Sequence, residues 1–577
     1  MQYLRPFRSH CIATIFFCFA GVIRPILTLG ILILILIQFL QPFFFLTSDN
    51  LQQLFPVWTE AGRHLYLGEN PWVSAYLYGG NYPLYRDPTF LSCLHPLVLS
   101  ICLLANTPLR YSIIDLFASL QILGSCVAMA ALLLALQRRK MIQLASWQTV
   151  VLSLSYGFSG FNVLVGSFWF FYLANQVALP LYLTGFLLHK RVQGILLIMT
   201  AGIHAFLSGV PSSYLFTLIA CSFFACVQCF ASRDVEVLRR WIFGQILAAL
   251  LLSPSLYFSI SGFLDSVRGQ GSVEMPADLF RVPFLSVASG WFLAGFGGIL
   301  GQSFTLINTS LGLSHILFGT ACSWWLIACL IPLCRRFRSQ NWGTSALLGM
   351  AFSLLLITRP GWMDFLVHSI PFLKSSRWPF RETFLLIFFL HLWMAFYIRY
   401  ISKTWLIRLL IPGTLLLVIS FLCFSPEAFV RHQTDRRLLF SGIAENHWAR
   451  YKMKSPEEVI LIPLIDSKMM AEREKDIPLT LVGAGNYPSF FKIKSVTGYS
   501  STPPRSSLPM GNLYFHPVGY VTPEWLPILQ KFGVSPKAVS RVEQLDPTRV
   551  TVDDGNQHFS TTVRDPQKST VAGDRVY

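Results

Sequence analysis

The sequence predicts an all-α polytopic membrane domain followed by a smaller extracytoplasmic α/β domain. Three observations predict it. Only 13% of the 577 residues are charged, while 53% are hydrophobic and mean hydropathy is +0.53; an ordinary soluble chain carries about 25% charge. Apolar runs recur from residue 25 to residue 424, many near the roughly 20 residues that cross a bilayer as helix. Composition then shifts: residues 1–424 hold 26 Lys/Arg and 12 Asp/Glu, whereas residues 425–577 hold 19 and 16. A soluble enzyme and a disordered chain are both excluded. The net charge of +17 does not call for nucleic acid, because the cations sit in short clusters between apolar runs, as cytoplasmic loops require.

The elements follow in order. Arg5, Arg8 and Arg24 precede a first span at Pro25–Leu46, which places the N-terminus in the cytoplasm. The stretch Cys11–Ile23 is too short to be a span of its own. A large first outer loop covers 47–112, with the apolar stretch Phe90–Ala105 read as interfacial or re-entrant. A span at Ile113–Leu136 returns to the cytoplasmic cluster Arg138-Arg139-Lys140. Further spans fit near 145–166, 168–188, 192–210, 213–231, 241–260, 312–333, 343–358, 382–399 and 404–424. That makes about eleven spans, an odd number, and sends the tail outside. His189-Lys190-Arg191, Arg233 with Arg239-Arg240, Arg335-Arg336-Phe337-Arg338, and Arg399 with Lys403 and Arg408 then all fall inside. Residues 261–311 form a long outer connection whose apolar patch, Phe284–Leu300, reads as re-entrant. In the domain 425–577, runs such as Val459–Ile465 and Leu479–Val482 read as strands. All 12 Cys lie before residue 425, mostly in apolar runs, where a thiol behaves as a small hydrophobe.

The acids of the first domain show where chemistry is to be sought. Asp49, Glu60, Glu69, Asp87, Asp115, Asp265, Glu274, Asp278, Asp364 and Glu382 map to the outer face or to outer ends of spans; only Asp234 and Glu236 map inside. A proton-coupled transporter places acids at mid-membrane instead. Three stretches stand out. The first runs from Ser48-Asp49-Asn50 through Gly68-Glu69-Asn70-Pro71-Trp72 to Tyr78-Gly79-Gly80-Asn81-Tyr82-Pro83-Leu84-Tyr85-Arg86-Asp87. Asp49 is either a functional carboxylate or the N-cap of a helix beginning at Asn50. In the second, Lys374, Arg377 and Arg381 lie on the outer side, where the positive-inside rule does not explain them. Arg377 and Arg381 either fork onto phosphate oxygens or, with Lys374, snorkel to lipid headgroups. In the third, Gly485-Asn486-Tyr487-Pro488 and Val496-Thr497-Gly498-Tyr499 lie in the tail, either as turns or as loops that reach a site at the membrane surface.

Taken in order, these stretches resemble the YfhO-like family of bacterial multi-spanning membrane proteins, which has the GT-C glycosyltransferase architecture. The match runs through Ser48-Asp49 with Gln52-Gln53 and Pro56, Gly68…Pro71-Trp72, and Tyr78-Gly79-Gly80…Pro83. It continues with Ser159-Gly160-Phe161, Arg377…Pro379…Arg381, and Asn486…Pro488…Val496-Thr497-Gly498-Tyr499. It is poor in residues 261–340 and beyond about residue 520, and Gly209-Val210-Pro211 stands where a Gly-His-Pro would be sought. The resemblance implies transfer of a sugar from a polyprenyl-phosphate-linked donor to an envelope glycan, lipid or protein acceptor, on the outer face of the cytoplasmic (inner) membrane. It implies Asp49 as general base and Asp87 as a partner for sugar hydroxyls or a divalent metal. Arg377 and Arg381 would hold the donor phosphate, with Lys374 and Arg86 as helpers. Trp72, Tyr78, Tyr82 and Tyr499 are candidates for sugar or acceptor contacts, the first three equally suited to interfacial anchoring. No cofactor is implied with certainty, and the outer loops hold no Asp-x-Asp. A flippase for a lipid-linked saccharide and a non-catalytic envelope assembly protein are the competing expectations.

Overall fold

The computed structural model describes residues 6–40, 42–46, 49–78, 82–87, 90, 113–159, 161–207, 211–266, 341–369, 382–398, 436–454, 460–461, 485–495, 498, 549–553 and 558–562. The expected spans 312–333 and 404–424, the patch Phe284–Leu300, the run Leu479–Val482 and all but Phe90 of Phe90–Ala105 lie outside the described residues.

Among the described residues the chain is mostly helical. Helix α1 is Pro6–Leu40 and α2 is Phe55–Leu67; a two-residue strand pair, β1 Val73–Ser74 and β2 Tyr82–Pro83, follows. Then come α3 Ile113–Arg138, α4 Ser146–Gly157, α5 Leu173–Leu187, α6 Arg191–Phe206, α7 Pro211–Ser232, α8 Val235–Leu251 and α9 Ser253–Leu264. Next are α10 Asn341–Thr358, α11 Gly361–Ser369, α12 Thr383–Tyr397 and α13 Ile443–Lys454. The tail adds β3 Ile460–Leu461, α14 Tyr487–Phe490, β4 Lys494–Ser495, β5 Arg549–Asp553 and β6 His558–Thr562. β3 pairs with β4 in parallel; β5 and β6 pair antiparallel, from Arg549 opposite Thr562 to Asp553 opposite His558.

Four described helical segments are long and apolar enough to cross a membrane, Ala20–Leu40, Ile114–Arg138, Phe170–Leu187 and Pro211–Ser232, or up to six if each of two bent pairs is one span. The chain is therefore suited to a lipid bilayer. Several expected spans are redrawn. The first ends at Leu40 rather than Leu46. The Gln38 amide oxygen receives the Phe43 N–H at 2.8 Å as the chain turns. The stretch expected at 145–166 breaks after Gly157, and a π-helix at Phe161–Val165 follows. Asn162 closes that break by donating to the Tyr156 and Gly157 carbonyls at 3.0 and 3.1 Å. The single span expected at 241–260 is broken at Leu252 into α8 and α9, and α10 meets α11 at 85°. The expected strand Val459–Ile465 is described as strand only at Ile460–Leu461.

The chain divides into two compact units that interleave along the sequence. One holds residues 1–44, 115–253 and 280–424; the other holds 45–114, 254–279 and 425–577. In that division the tail shares a unit with the first loop.

In the first unit, α12 is buried along its whole length, as a helix that is hydrophobic all round must be. It packs on α10, α4 and α5. His391, at its middle, donates from Nδ1 to the Ile387 carbonyl and receives the Ser155 hydroxyl at Nε2, 3.0 Å away. Glycines set the closest helix pairs. A Cβ at Gly185 on α5 would lie 2.9 Å from the Gly194 carbonyl on α6, and one at Gly349 on α10 would lie 2.6 Å from the Phe389 ring. At one end of this bundle, arginines finish α5. Arg139 donates to the Leu187 and Leu188 carbonyls at 2.8 and 3.3 Å, and Arg240 donates to those of Phe186 and Leu188. Glu236 balances the charge, 3.2 Å from Arg240 and 3.3 Å from Arg191. Three basic clusters that the sequence separates thus meet around one set of helix ends, where cations complement the macrodipole.

The contact of α5 with α6 is testable. Gly194→Ala places a methyl against the Gly185 backbone and lowers stability by about 1–3 kcal/mol. Gly21→Ala, where nothing lies within 4 Å, leaves stability unchanged or slightly raised. Thermal unfolding in detergent measures both; equal melting of Gly194→Ala and wild type would refute the contact.

Candidate functional site

The second unit is organised around a helix that cannot complete its own hydrogen bonds. Residues Asn50–Leu54 form a π-helix, and Phe55 donates its N–H to the Asn50 carbonyl five residues back. The cause lies in Pro56. An α-helical Gln52 carbonyl expects the N–H of residue 56, and proline has none. The tail supplies the missing donors. Asn486 gives its backbone N–H to the Gln52 carbonyl at 2.9 Å and its side-chain amide to the Gln53 carbonyl, also at 2.9 Å. Gly485 makes this approach possible: its φ is +64°, and a Cβ there would lie 3.1 Å from the Gln52 oxygen. Apolar contacts back it up, with Phe55 on Phe490 at 5.3 Å between ring centres and Phe491 on Trp448 at 5.9 Å. Arg63 on α2 adds a bond to the Ser489 carbonyl at 3.3 Å.

Asp49 stands immediately before this π-helix, half-buried, with helical φ and ψ of −60° and −32°. Its side chain makes no capping hydrogen bond. The helix does begin at Asn50, but Asp49 is not there to cap it. Asn50 turns its own amide back onto the Phe45 carbonyl at 2.8 Å. Asp87 ends a single 3-10 turn, Leu84–Arg86, and is buried; its N–H donates to the Leu84 carbonyl at 2.9 Å. Beside it, Arg86 pairs with Asp265 at 3.3 Å, with both side chains largely exposed. Gly262 lets the chain after α8 close on this turn, since a Cβ there would lie 2.6 Å from the Arg86 carbonyl. An exposed pair of this kind contributes about 0–1 kcal/mol.

The aromatic residues divide by exposure. Trp72 is 39% exposed, its N–H held by the Asn70 side chain at 3.0 Å and its ring edge-on to Phe90. Tyr78, at a φ of +50°, donates its hydroxyl to the Gly498 carbonyl at 2.9 Å. A Cβ on Gly498 would collide with the Tyr78 ring at 2.7 Å, which explains the glycine next to Tyr499. Tyr82 is buried at 4% exposure and packs on Tyr78 with ring centres 4.6 Å apart. It supports Tyr78 and has no free face for a sugar. Tyr499, Lys374, Arg377 and Arg381 lie outside the described residues. Among the described residues, no group of three or more His, Cys, Asp or Glu could hold a metal ion.

A further cluster was not legible as a site in the sequence. Glu60 on α2 is fully buried. One of its oxygens receives the Ser74 hydroxyl at 2.9 Å, and the other lies 3.5 Å from Nε2 of His64, one turn along. Nδ1 of His64 lies 2.6 Å from the exposed carboxylate of Glu69. The His64 pKa is raised above the ordinary histidine value, by Glu60 first and then by Glu69, while burial acts the other way. Glu69 is the shorter contact, but Glu60 is shielded from water, so its longer one is less screened. The Glu60-x-x-x-His64 spacing, one helical turn, was the available signal.

The clasp on the π-helix generates a test. Asn486→Ala leaves the buried Gln53 carbonyl without this donor and costs about 1–3 kcal/mol. Asn70→Ala, at an exposed turn, costs less than about 0.5 kcal/mol. Thermal unfolding of the two variants separates them, and equal losses would count against the clasp.

Protein-family models, curated proteins and solved structures, compared with this chain, give no match.

Proposed function

We propose that this protein is a membrane glycosyltransferase with about eleven spans, a cytoplasmic N-terminus and an extracytoplasmic α/β tail. In this proposal it moves a sugar from a polyprenyl-phosphate-linked donor to an envelope acceptor on the outer face of the cytoplasmic membrane. The observation that carries it is Asp49. A carboxylate sits just after the first apolar helix, half-buried, at the head of the π-helix to which the tail is tied. Support also comes from the tail, whose Asn486 and Gly498 bind the same loop that holds Asp49, Trp72, Tyr78 and Asp87. A loop tied at two points is a better platform for positioning a saccharide than a free linker.

The chemistry is a direct displacement. Asp49 takes the proton of the acceptor hydroxyl as its oxygen attacks the anomeric carbon. The bond from that carbon to the phosphate oxygen breaks, its electron pair leaves with the polyprenyl phosphate, and the configuration inverts. Arg377 and Arg381 receive the developing phosphate charge, with Lys374 and Arg86 contributing. Trp72 offers a ring face to the sugar, Tyr78 holds the loop in place, and Asp87 orients a hydroxyl.

Asp49→Asn is nearly isosteric and removes no cap. Expression and melting temperature stay at wild-type values, and sugar transfer by purified protein in detergent falls about 100-fold or more. Asp87→Asn is the internal comparison; loss of transfer there with retention in Asp49→Asn would exchange the two roles. Wild-type transfer in both variants would remove the base role from both acids, whereas no transfer by the wild-type protein in detergent would favour a flippase, which needs two compartments and no base.

The arginine pair gives an independent test. Arg377→Ala and Arg381→Ala each lower transfer about 10- to 150-fold, through loss of about 1.5–3 kcal/mol of charge-assisted contact. Arg→Lys keeps the charge without the fork and restores only part of the rate. A double alanine variant that uses donor at the wild-type rate would exclude a phosphate role.

A further inference from the structure

After α2 the chain runs through residues 69–78, which include β1 and carry Trp72, Tyr76 and Tyr78. Polar contacts return it to α2: the Glu69 N–H to the His64 carbonyl at 2.8 Å, the Glu69 carboxylate to Nδ1 of His64 at 2.6 Å, and Ser74 to Glu60 at 2.9 Å. The Ser74 oxygen also accepts the N–H groups of Tyr76 and Leu77, at 3.2 and 3.3 Å. With its acceptor sites occupied, the Ser74 hydroxyl proton must point at Glu60, which therefore serves as an acceptor. Glu60 is fully buried. Beside it is His64, whose Nε2 lies 3.5 Å from Glu60 and whose Nδ1 lies 2.6 Å from Glu69. The doubly protonated ring aims one proton at each acid, as a hydrogen bond to Glu69 and a longer contact to Glu60.

We infer that His64 is a positioning residue for the first-loop aromatic platform: with both ring nitrogens protonated it latches the 69–78 segment to α2, and on losing a proton it releases it. The groups that face it are few among the described residues. From its own helix it meets Glu60, and from the loop Glu69. Ser74 on β1 stands behind Glu60. The neighbouring cation, Arg63, is turned toward the Ser489 carbonyl of α14 and the Tyr76 ring, 5.9 Å away. Because the folded-state pKa is raised, the latch is fully present below the ordinary histidine range and is lost as pH rises through the higher folded value. The platform is thus latched at lower pH and loosened at higher pH. This assigns a regulation to the saccharide site and rests on the transferase reading for its purpose, not for its geometry.

Amide hydrogen exchange of the purified full chain in detergent tests it, followed from about pH 6 to about pH 9 and corrected for intrinsic exchange. Exchange of residues 69–78 rises about tenfold across a single transition in wild type. Glu69→Gln, at an exposed position, removes one carboxylate from the ring and moves that transition to lower pH. His64→Gln abolishes the transition and exchanges rapidly throughout. Flat exchange in wild type, or an unmoved transition in Glu69→Gln, would overturn the latch. The measurement needs neither donor nor acceptor. Titrating exchange without any sugar transfer defeats the transferase reading and leaves the latch standing, whereas transfer with flat exchange defeats the latch alone.

Discussion

Pro56 has no N–H to give, and the Gln52 carbonyl is left without its helical partner. Much of the described part of the second unit answers that one deficit. The chain relaxes into a π-helix, and the carbonyls it turns outward are met by Asn486. A buried carbonyl without a donor costs about 1–3 kcal/mol, so the pairing selects which tail segment can lie here. It also selects Gly485, because a side chain at a φ of +64° would press on the Gln52 oxygen. Asp49 inherits its place from this arrangement. It sits where a cap would sit, and the residues after it find their partners elsewhere.

The first unit obeys the same accounting in an apolar setting. α12 has no polar face, so it must be enclosed, and its histidine must find partners within the protein. Helix pairs close through glycines at Gly185, Gly194 and Gly349, as small residues allow where backbones approach. The end of α5 would expose carbonyls, and Arg139 and Arg240 take them up. The basic clusters thus have a structural use at the helix ends.

Exposure and pairing, rather than residue type, sort the candidate sugar contacts. Trp72 keeps an open face. Tyr78 is committed to Gly498 through its hydroxyl and to Tyr82 through its ring. Arg86 is held by Asp265 in an exposed pair, which contributes little. His64 shows the opposite logic: its partners sit on either side of the ring, one buried and one exposed, and its proton count decides whether both are served.

The apolar run lengths that suit the chain to a bilayer, the helix start at Asn50 and the stretches around Asn486 and Gly498 were legible in the sequence, whereas the end of the first helix at Leu40 was not, the apolar run reading on to Leu46. What was legible is local: apolar run length, and a glycine where a side chain would not fit. Tertiary structure alone decided what those residues meet. Asn486 and Gln53 are 433 positions apart, and no periodicity relates them. Tyr82 reads as a sugar-stacking ring until its burial is known. His64 reads as one histidine on a helix until Glu69 folds back onto it. The breaks after Gly157 and at Leu252 likewise depend on packing, since uniformly apolar runs look continuous in composition whether the helix is straight or bent. Local sequence sets what each segment can form; which distant groups share a hydrogen bond is set by the return path of the chain.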